Sequence, residues 1–333
     1  MTKAIALFSG GLDSILACRV VAEQGIEVIA VKFVSPFFNY DQFLSPSYIP
    51  ETKEKYGIEV MLRDVSEEYL ALLRAPIHGY GKHFNPCLDC KIFMMTKARE
   101  MMRELDAAFL ISGEVLGQRP MSQRRDALRV VERDSGCDGI LLRPLCAKHL
   151  NPTRPELEGL VDRTRLGDFS GRGRSQQIAL AKAMGVVDYP TPSGGCVLTD
   201  VNVSGRIKRY YGENETVRAI DMRLLTVGRH FVLPGGAWLA MGRDEAENAK
   251  VLALAESCDT ILKLVDWPGP TALARNLREA SDLALAAGLV ARYAKKGVDG
   301  KPMPGQVECQ GQSGSWLLCG IPPDDSLAQG WLR

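Results

Sequence analysis

At 333 residues the chain is long enough for two domains with a substantial core. It is 46% hydrophobic and 24% charged with a net charge of +1, an ordinary composition for a soluble globular protein that neither implies nor excludes a nucleic-acid partner. No apolar stretch approaches the ~18 to 20 residues of a transmembrane helix. The run at residues 4–8 is too short for a signal core and is stopped by Ser9-Gly10-Gly11, so a cytoplasmic protein without a membrane partner is expected. Nine cysteines, an odd number, argue against a disulfide framework.

Residues 4–8 and 27–34 are short apolar runs. Between them, residues 14–24 carry helical spacing through Ile15, Leu16, Cys18, Val20 and Val21, with Gly25 as a natural C-cap. A strand, a helix and a strand in about 30 residues favour a parallel sheet with right-handed crossovers. The alternation continues with a strand at 59–62, helices at 64–73 and 90–105, strands at 108–113 and 139–142, and a helix at 176–184. Residues 1–200 thus read as an α/β domain with a doubly wound parallel sheet. The texture then changes. Residues 231–233 and 237–241 suit a hairpin around Pro234-Gly235-Gly236, 244–255 a helix and 260–265 a strand; 273–296 suit a long amphipathic helix, and 306–321 alternate as β structure. Residues 205–333 read as a second, smaller α+β domain. Cys18, on an apolar helix side, and Cys319, after Leu317-Leu318, are expected to be buried and inert.

Ser9-Gly10-Gly11-Leu12-Asp13-Ser14 joins the first strand to the first helix. Such a junction offers backbone N–H groups and the positive end of a helix dipole, an anion site by construction. Glycine permits close backbone approach, the serines add hydroxyl donors, and Asp13 would hold Mg²⁺ beside phosphates or cap the helix. No Gly-Lys-Ser/Thr follows, so the Walker pattern of kinases and GTPases is absent. A plain strand–turn–helix connection is the structural alternative.

The hexapeptide resembles the signature of the PP-loop ATP pyrophosphatase superfamily, whose members cleave ATP to AMP and pyrophosphate and adenylate a carbonyl or amide oxygen. The resemblance implies ATP held by Ser9, Gly10, Gly11, Leu12, Asp13 and Ser14, with Asp13 near Mg²⁺ and active in catalysis. It further implies adenine against the backbone of residues 31–33, Lys32 and Phe33 included, with Gly113 and Gln118 on the opposite wall. Gly113-Glu114-Val115-Leu116-Gly117-Gln118 is similar to the GE-x-x-GQ stretch of the tRNA 4-thiouridine synthetases, although Ser122-Gln123 follows one residue later than in that family. Arg143-Pro144-Leu145 after a strand also resembles that family, and Asn85-Pro86-Cys87-Leu88-Asp89-Cys90 resembles the N-P-C-x-x-C stretch of the tRNA 2-thiouridylases.

Replacing a base C=O by C=S requires making the oxygen a leaving group, which adenylation does, and then a sulfur nucleophile. Reactive cysteines lie in accessible, electropositive surroundings near helix N-termini. Cys87 and Cys90 stand just before or at the start of the 90–105 helix, with Lys82, His83 and Lys91 nearby; Cys196 ends Pro192-Ser193-Gly194-Gly195-Cys196, read as a flexible turn. Three readings of this trio stay open. One is a persulfide relay, and another is a three-cysteine [4Fe-4S] cluster with an open iron, as in a group of thiolases with a CxxC and a distant third cysteine. The third is half of a zinc site or an unreactive turn. Zinc normally takes four ligands, and neither a second CxxC nor a suitably spaced His accompanies Cys196.

Arg124-Arg125 and Arg172-Gly173-Arg174 are weighed as phosphate-neutralising groups or as solvated surface. Farther on, residues 241–248, Met-Gly-Arg-Asp-Glu-Ala-Glu-Asn, resemble the GRN-x-x-EN stretch of the NFACT RNA-binding domain, with Asp244 at the family's first Asn. Trp267-Pro268-Gly269-Pro270 resembles that domain's later glycine-proline turn. Arg206, Lys208 and Arg209, with Tyr210 and Tyr211, offer charge and stacking surfaces suited to RNA, or an amphipathic helix leading into the domain.

The expected activity is that of an ATP-dependent tRNA sulfurtransferase that adenylates a base carbonyl oxygen and replaces it with sulfur through Cys87, Cys90 and Cys196. The partners are tRNA and a sulfide or persulfide carrier. The alternatives are a PP-loop ligase adenylating a small-molecule carboxylate or amide, and a non-catalytic RNA-binding protein with a nucleotide site.

Overall fold

The first apolar runs form β1 (Lys3–Leu7) and β2 (Glu27–Val34), parallel neighbours flanking α1 (Leu12–Ala22) in sequence. In the computed structural model, which describes residues 1–191, 195–294, 297 and 300–333, the chain continues through α2 (Tyr40–Phe43), α3 (Tyr48–Tyr56) and β3 (Glu59–Asp64). Then come α4 (Ser66–Arg74), α5 (Cys87–Glu104), β4 (Phe109–Ser112), α6 (Arg125–Ser135), β5 (Leu141–Leu142), α7 (Arg154–Leu157) and α8 (Ser175–Ala183). All five strands are parallel, in the order β3-β2-β1-β4-β5. Alternation along β1 sends Ala4 and Ala6 into a core with Ile15 and Leu16 of α1, and Ile5 into a second core with Met95 and Ala98 of α5. Helices therefore cover both faces. The strand order reverses between β1 and β4, the switch point at which open α/β sheets bind ligands beyond the carboxyl ends of their strands.

Met1–Thr199 and Asp200–Arg333 are separate compact units. The second contains α9 (Val201–Glu213), α10 (Ala219–Leu225), β6 (Arg229–Val232), β7 (Trp238–Met241), α11 (Glu245–Ala253), β8 (Thr260–Leu264) and β9 (Thr271–Arg275). It ends with α12 (Ala280–Arg292), β10 (Gly305–Gly311), β11 (Gly314–Gly320) and α13 (Asp325–Trp331). Its antiparallel sheet has the order β11-β10-β8-β9-β7-β6, and Ala286, Ala287, Leu289 and Val290 of α12 share a core with Leu239 and Ala272 of the sheet.

Three sequence expectations need correction. The helix expected at 273–296 is two elements: β9 is a wholly buried strand, and the helix is Ala280–Arg292. Burial on both faces of β9 removes the alternation that marks a strand, and Asn276, with φ +58, ends it before the helix begins. Lys295 and Lys296 lie outside the described residues, as do Pro192, Ser193 and Gly194 of the turn expected before Cys196. The helix expected from residue 90 starts at Cys87. Cys319 is exposed, because β11 is the edge strand of the sheet among the described residues and its alternation turns Trp316 and Leu318 inward and Leu317 and Cys319 outward.

Candidate functional site

The loop from β1 to α1 is held by its own side chains. Ser14 Oγ donates to the Gly11 carbonyl at 2.8 Å and accepts from Gly10 N–H at 3.1 Å, while Ser9 Oγ accepts from Gly11 N–H at 3.3 Å. Lys32, at the end of β2, crosses to donate to the Ser9 carbonyl at 2.6 Å. Gly10 has φ +83, and a Cβ there would press on Lys32 Nζ and Tyr48 Oη at 3.1 Å each, so the position suits glycine on both counts. Leu12 is fully buried and anchors α1 in the core, and the Ser14 and Ile15 N–H groups close the first turn onto the Gly11 carbonyl.

Asp13 stands in that first turn. Its Oδ2 accepts from Gln118 Nε2 at 3.1 Å, and its Oδ1 is buried with no hydrogen-bond partner. Gly113, after β4, lies so close that a Cβ would come within 2.7 Å of the Asp13 carbonyl carbon and oxygen. The loops after β1 and β4 therefore meet at the switch point, and Gly113 serves there as a contact surface for Asp13.

A cleft of about 630 Å³ opens over the loop. Ser9, Gly10, Gly11, Asp13, Lys32 and Gln118 line it, as expected from the sequence, and so do Arg172 and Arg174, whose glycine-flanked loop enters the wall. Leu12, Ser14, Phe33 and Gly113, also expected at the nucleotide, are not among the residues that line it. Phe33 packs in the core that holds α5, and its carbonyl accepts from Asn39 Nδ2 at 2.8 Å. Arg124 is instead paired with Asp126, and Arg125 donates to the His149 carbonyl at 2.9 Å. Burial lowers the Lys32 ammonium to about 8. Tyr48, Thr52 and Tyr56, one face of α3, complete the far wall; their i, i+4, i+8 spacing was the one available signal for them.

The cleft fits ATP with Mg²⁺. It combines a buried carboxylate oxygen without a partner, cations at Lys32, Arg172 and Arg174, backbone N–H groups and aromatic walls.

A second cluster lies at the head of α5. Cys87 and Cys90 are in its first turn, one helical turn apart. Asp89, between them, is buried and accepts from the Ile77 and His78 N–H groups at 3.0 Å each, fixing the loop before the helix. Cys196 joins them: burial, followed by the neighbouring Cys90, Cys196 and Cys87 thiols, raises the Tyr69 phenol well above its ordinary value. The Tyr69 hydroxyl is itself buried, with the Cys90 thiol as its polar neighbour. Burial pushes Cys90 up to about 11 and raises Cys196 as well, so both are neutral thiols at pH 7. Nothing in the sequence marks Tyr69, because a tyrosine on the buried side of α4 reads as core.

The cysteine cluster and the nucleotide loop share a support. Lys91, next to Cys90, sits 3.4 Å from Glu114 Oε1, and Glu114 Oε2 accepts from Arg143 Nε at 3.1 Å. Burial pushes the Glu114 carboxyl up, but the Lys91 and Arg143 charges outweigh it and hold it below the usual carboxylate range. Arg143, of the Arg-Pro-Leu stretch, also pairs with Glu132 of α6. Among the described residues no group of three or more His, Cys, Asp or Glu could hold a single metal ion, which leaves the zinc reading of the trio without a preformed site.

In the second unit, the residues singled out as RNA-like do structural work. Asp244 caps α11 by accepting from Glu247 N–H at 2.9 Å, Arg243 pairs with Glu247, and Asn248 Oδ1 accepts from Thr271 N–H at 2.8 Å. Tyr211 and Arg206 are buried, so the surface expected from residues 206–211 narrows to Lys208, Arg209 and half-buried Tyr210.

Residues 1–151 match the family described as Thiamine biosynthesis protein (ThiI), and residues 228–316 match the NFACT protein RNA binding domain. A probable tRNA sulfurtransferase of Thermococcus kodakarensis is 29% identical over 143 residues, 43% of this chain and 36% of that protein. One from Ureaplasma urealyticum is 24% identical over the same shares. The chain thus spans about a third of the length of these curated relatives (36%). Among solved structures, a 4-thiouridine synthetase–RNA complex with bound ATP is 20% identical, with a TM-score of 0.35, over 56% of this chain and 52% of that one. A predicted subunit of tRNA methyltransferase from Methanocaldococcus jannaschii is 16% identical, with a TM-score of 0.31, over 48% of this chain and 76% of that one.

Proposed function

With a ThiI-family domain at its N-terminal end and an NFACT-type RNA-binding domain following it, we propose that this protein is an ATP-dependent tRNA sulfurtransferase. The observation that carries the reading is the meeting of Cys87, Cys90 and Cys196 around Tyr69, tied through Lys91 and Glu114 to the loop opposite Asp13.

In this reading the glycine loop and the first turn of α1 hold the triphosphate, and Asp13 would hold Mg²⁺, which would neutralise phosphate charge there. Arg172, Arg174 and Lys32 neutralise the phosphate charge. The base carbonyl oxygen attacks the α-phosphorus, pyrophosphate leaves, and the oxygen becomes part of an AMP leaving group. A sulfide equivalent then adds at the carbon and AMP departs, leaving C=S. The cleft walls orient ATP and limit water, which would otherwise hydrolyse the adenylate.

The three thiols gathered beside the buried Tyr69 also suit a [4Fe-4S] cluster, whose protein ligands are thiolates. Cys87, Cys90 and Cys196 would hold it, and when bound it would supply an open iron position for sulfur. Anaerobically purified protein is then expected to be brown, with broad absorption near ~400 nm that Cys196→Ser abolishes. A colourless, iron-free protein would contradict the cluster and leave the same cysteines to a persulfide relay.

The function itself is tested by pyrophosphate release from ATP. Stimulation by tRNA, and its loss in Asp13→Asn, is expected. Stimulation by a metabolite with indifference to tRNA would overturn the reading in favour of a small-molecule ligase.

A further inference from the structure

The second unit holds a pocket of about 440 Å³ walled by residues that include Arg206, Arg209, Tyr210, Trp238 and Arg275. Its aromatic wall is rigid. Trp238 Nε1 donates to His230 Nδ1 at 2.8 Å, and His230 Nε2 lies 2.7 Å from the Val227 carbonyl. Burial pushes His230 down to about 3, so the ring is neutral at pH 7. Its proton then sits on Nε2, donated to Val227, and its Nδ1 lone pair receives the indole. Tyr210 is fixed as well: its hydroxyl donates to Asp221 at 2.8 Å, and its ring centroid lies 5.7 Å from that of Trp238 at 56°.

The cations around this wall are of two kinds. Arg275 is paired with Asp221 and Asp259, and Arg218 with Asp221 and Glu256, so their charges are balanced within the fold. Arg206 and Arg209 have no carboxylate within ion-pair distance among the described residues. Arg209 is exposed at the rim. Arg206, 9% exposed, donates Nη1 to the Gly228 carbonyl at 3.1 Å and leaves Nε buried with no partner. Asp200 and Glu247 act on Arg206 only at a distance, and a buried guanidinium with an unfilled donor and no close ion pair is costly, a cost that an anion entering the pocket would offset. Glu213 and the paired Asp221 also line the pocket, and an aromatic wall beside two guanidiniums outside any close ion pair matches one ligand chemistry, a flat heteroaromatic ring carrying a phosphate.

We propose that this pocket takes one unstacked nucleotide of an RNA strand, its base against Trp238 and Tyr210 and its phosphate at Arg206 and Arg209. The inference rests on the RNA-binding reading of this domain and adds to it the place of contact. The test uses the full chain and a single-stranded oligouridine 12-mer carrying 5-iodouracil, in two measurements. Fluorescence anisotropy against salt is expected to show Arg209→Glu weakening binding about tenfold and lowering the slope of log K against log salt by about 1. Photocrosslinking is expected to label Tyr210 or Trp238. If the unmodified chain binds the 12-mer but Arg209→Glu binds with the same affinity and slope, and the crosslinks fall elsewhere, the pocket is overturned while the RNA-binding reading stands. If the unmodified chain binds neither the 12-mer nor tRNA, both fall.

Discussion

Single side chains set two pH responses. Lys32 braces the phosphate loop through the Ser9 carbonyl, and burial places its ammonium at about 8. An anionic triphosphate favours the charged form, so ATP affinity is expected to fall as pH rises through about 8 and to lose that step in Lys32→Met. Titrations between pH 7 and 9 that show a flat profile for the unmodified chain would remove Lys32 from the binding account. His230 acts in the opposite range. Its folded value of about 3 lies below the ordinary 6.5, so below about 6.5 the unfolded chain takes up a proton that the folded one refuses. The second unit is therefore expected to lose stability as pH falls from about 6.5 toward 3, by at most about 1.4 kcal/mol per pH unit. Urea midpoints at pH 7 and 5 measure this, and His230→Gln should flatten the difference.

At the level of elements, the contact of the β4 and β1 loops is the most constrained feature. Because a Cβ at Gly113 would meet Asp13 backbone at 2.7 Å and Ser14 Cα at 2.8 Å, neither side can yield by rotating a side chain. Gly113→Ala is expected to cost about 1–3 kcal/mol by overpacking and to displace Asp13 from the cleft. Gly205, inside α9, has nothing within 4 Å of an added Cβ, so Gly205→Ala should raise stability by about 0.5–1 kcal/mol. Thermal and urea unfolding with ATP-binding measurements distinguish the two. Legibility also divided by element. Ser9–Ser14 could be read because strand, turn and helix start are consecutive and the geometry is local. The α3 wall could not, since Tyr48, Thr52 and Tyr56 form a polar-tipped stripe with little apolar company. β9 was misread because a fully buried strand carries no alternation, and Cys319 because an apolar neighbour in sequence says nothing about which face of a strand a residue takes.

For the whole molecule, the parallel sheet was legible from the spacing of apolar runs, and the family resemblances followed from local motifs. What local motifs could not supply was the nearness of Cys196 to Cys87 and Cys90 across more than a hundred residues, or the buried Tyr69 beside them. Both depend on how α4, α5 and the segment after α8 pack, and packing is a property of the folded chain. The Lys91–Glu114–Arg143 chain then joins the head of α5, where Cys87 and Cys90 lie, to the loop after β4 within Met1–Thr199. The central claim, that the two sites serve one reaction, is tested most directly by incubating the anaerobically purified chain with ATP, Mg²⁺, sulfide and tRNA, then analysing the digested nucleosides by mass spectrometry. The account predicts a nucleoside about 16 Da heavier, oxygen replaced by sulfur, that requires ATP and disappears in both Asp13→Asn and Cys196→Ser. Thiolated nucleoside at an undiminished yield from Cys196→Ser, or none from the unmodified chain with every component present, would contradict it.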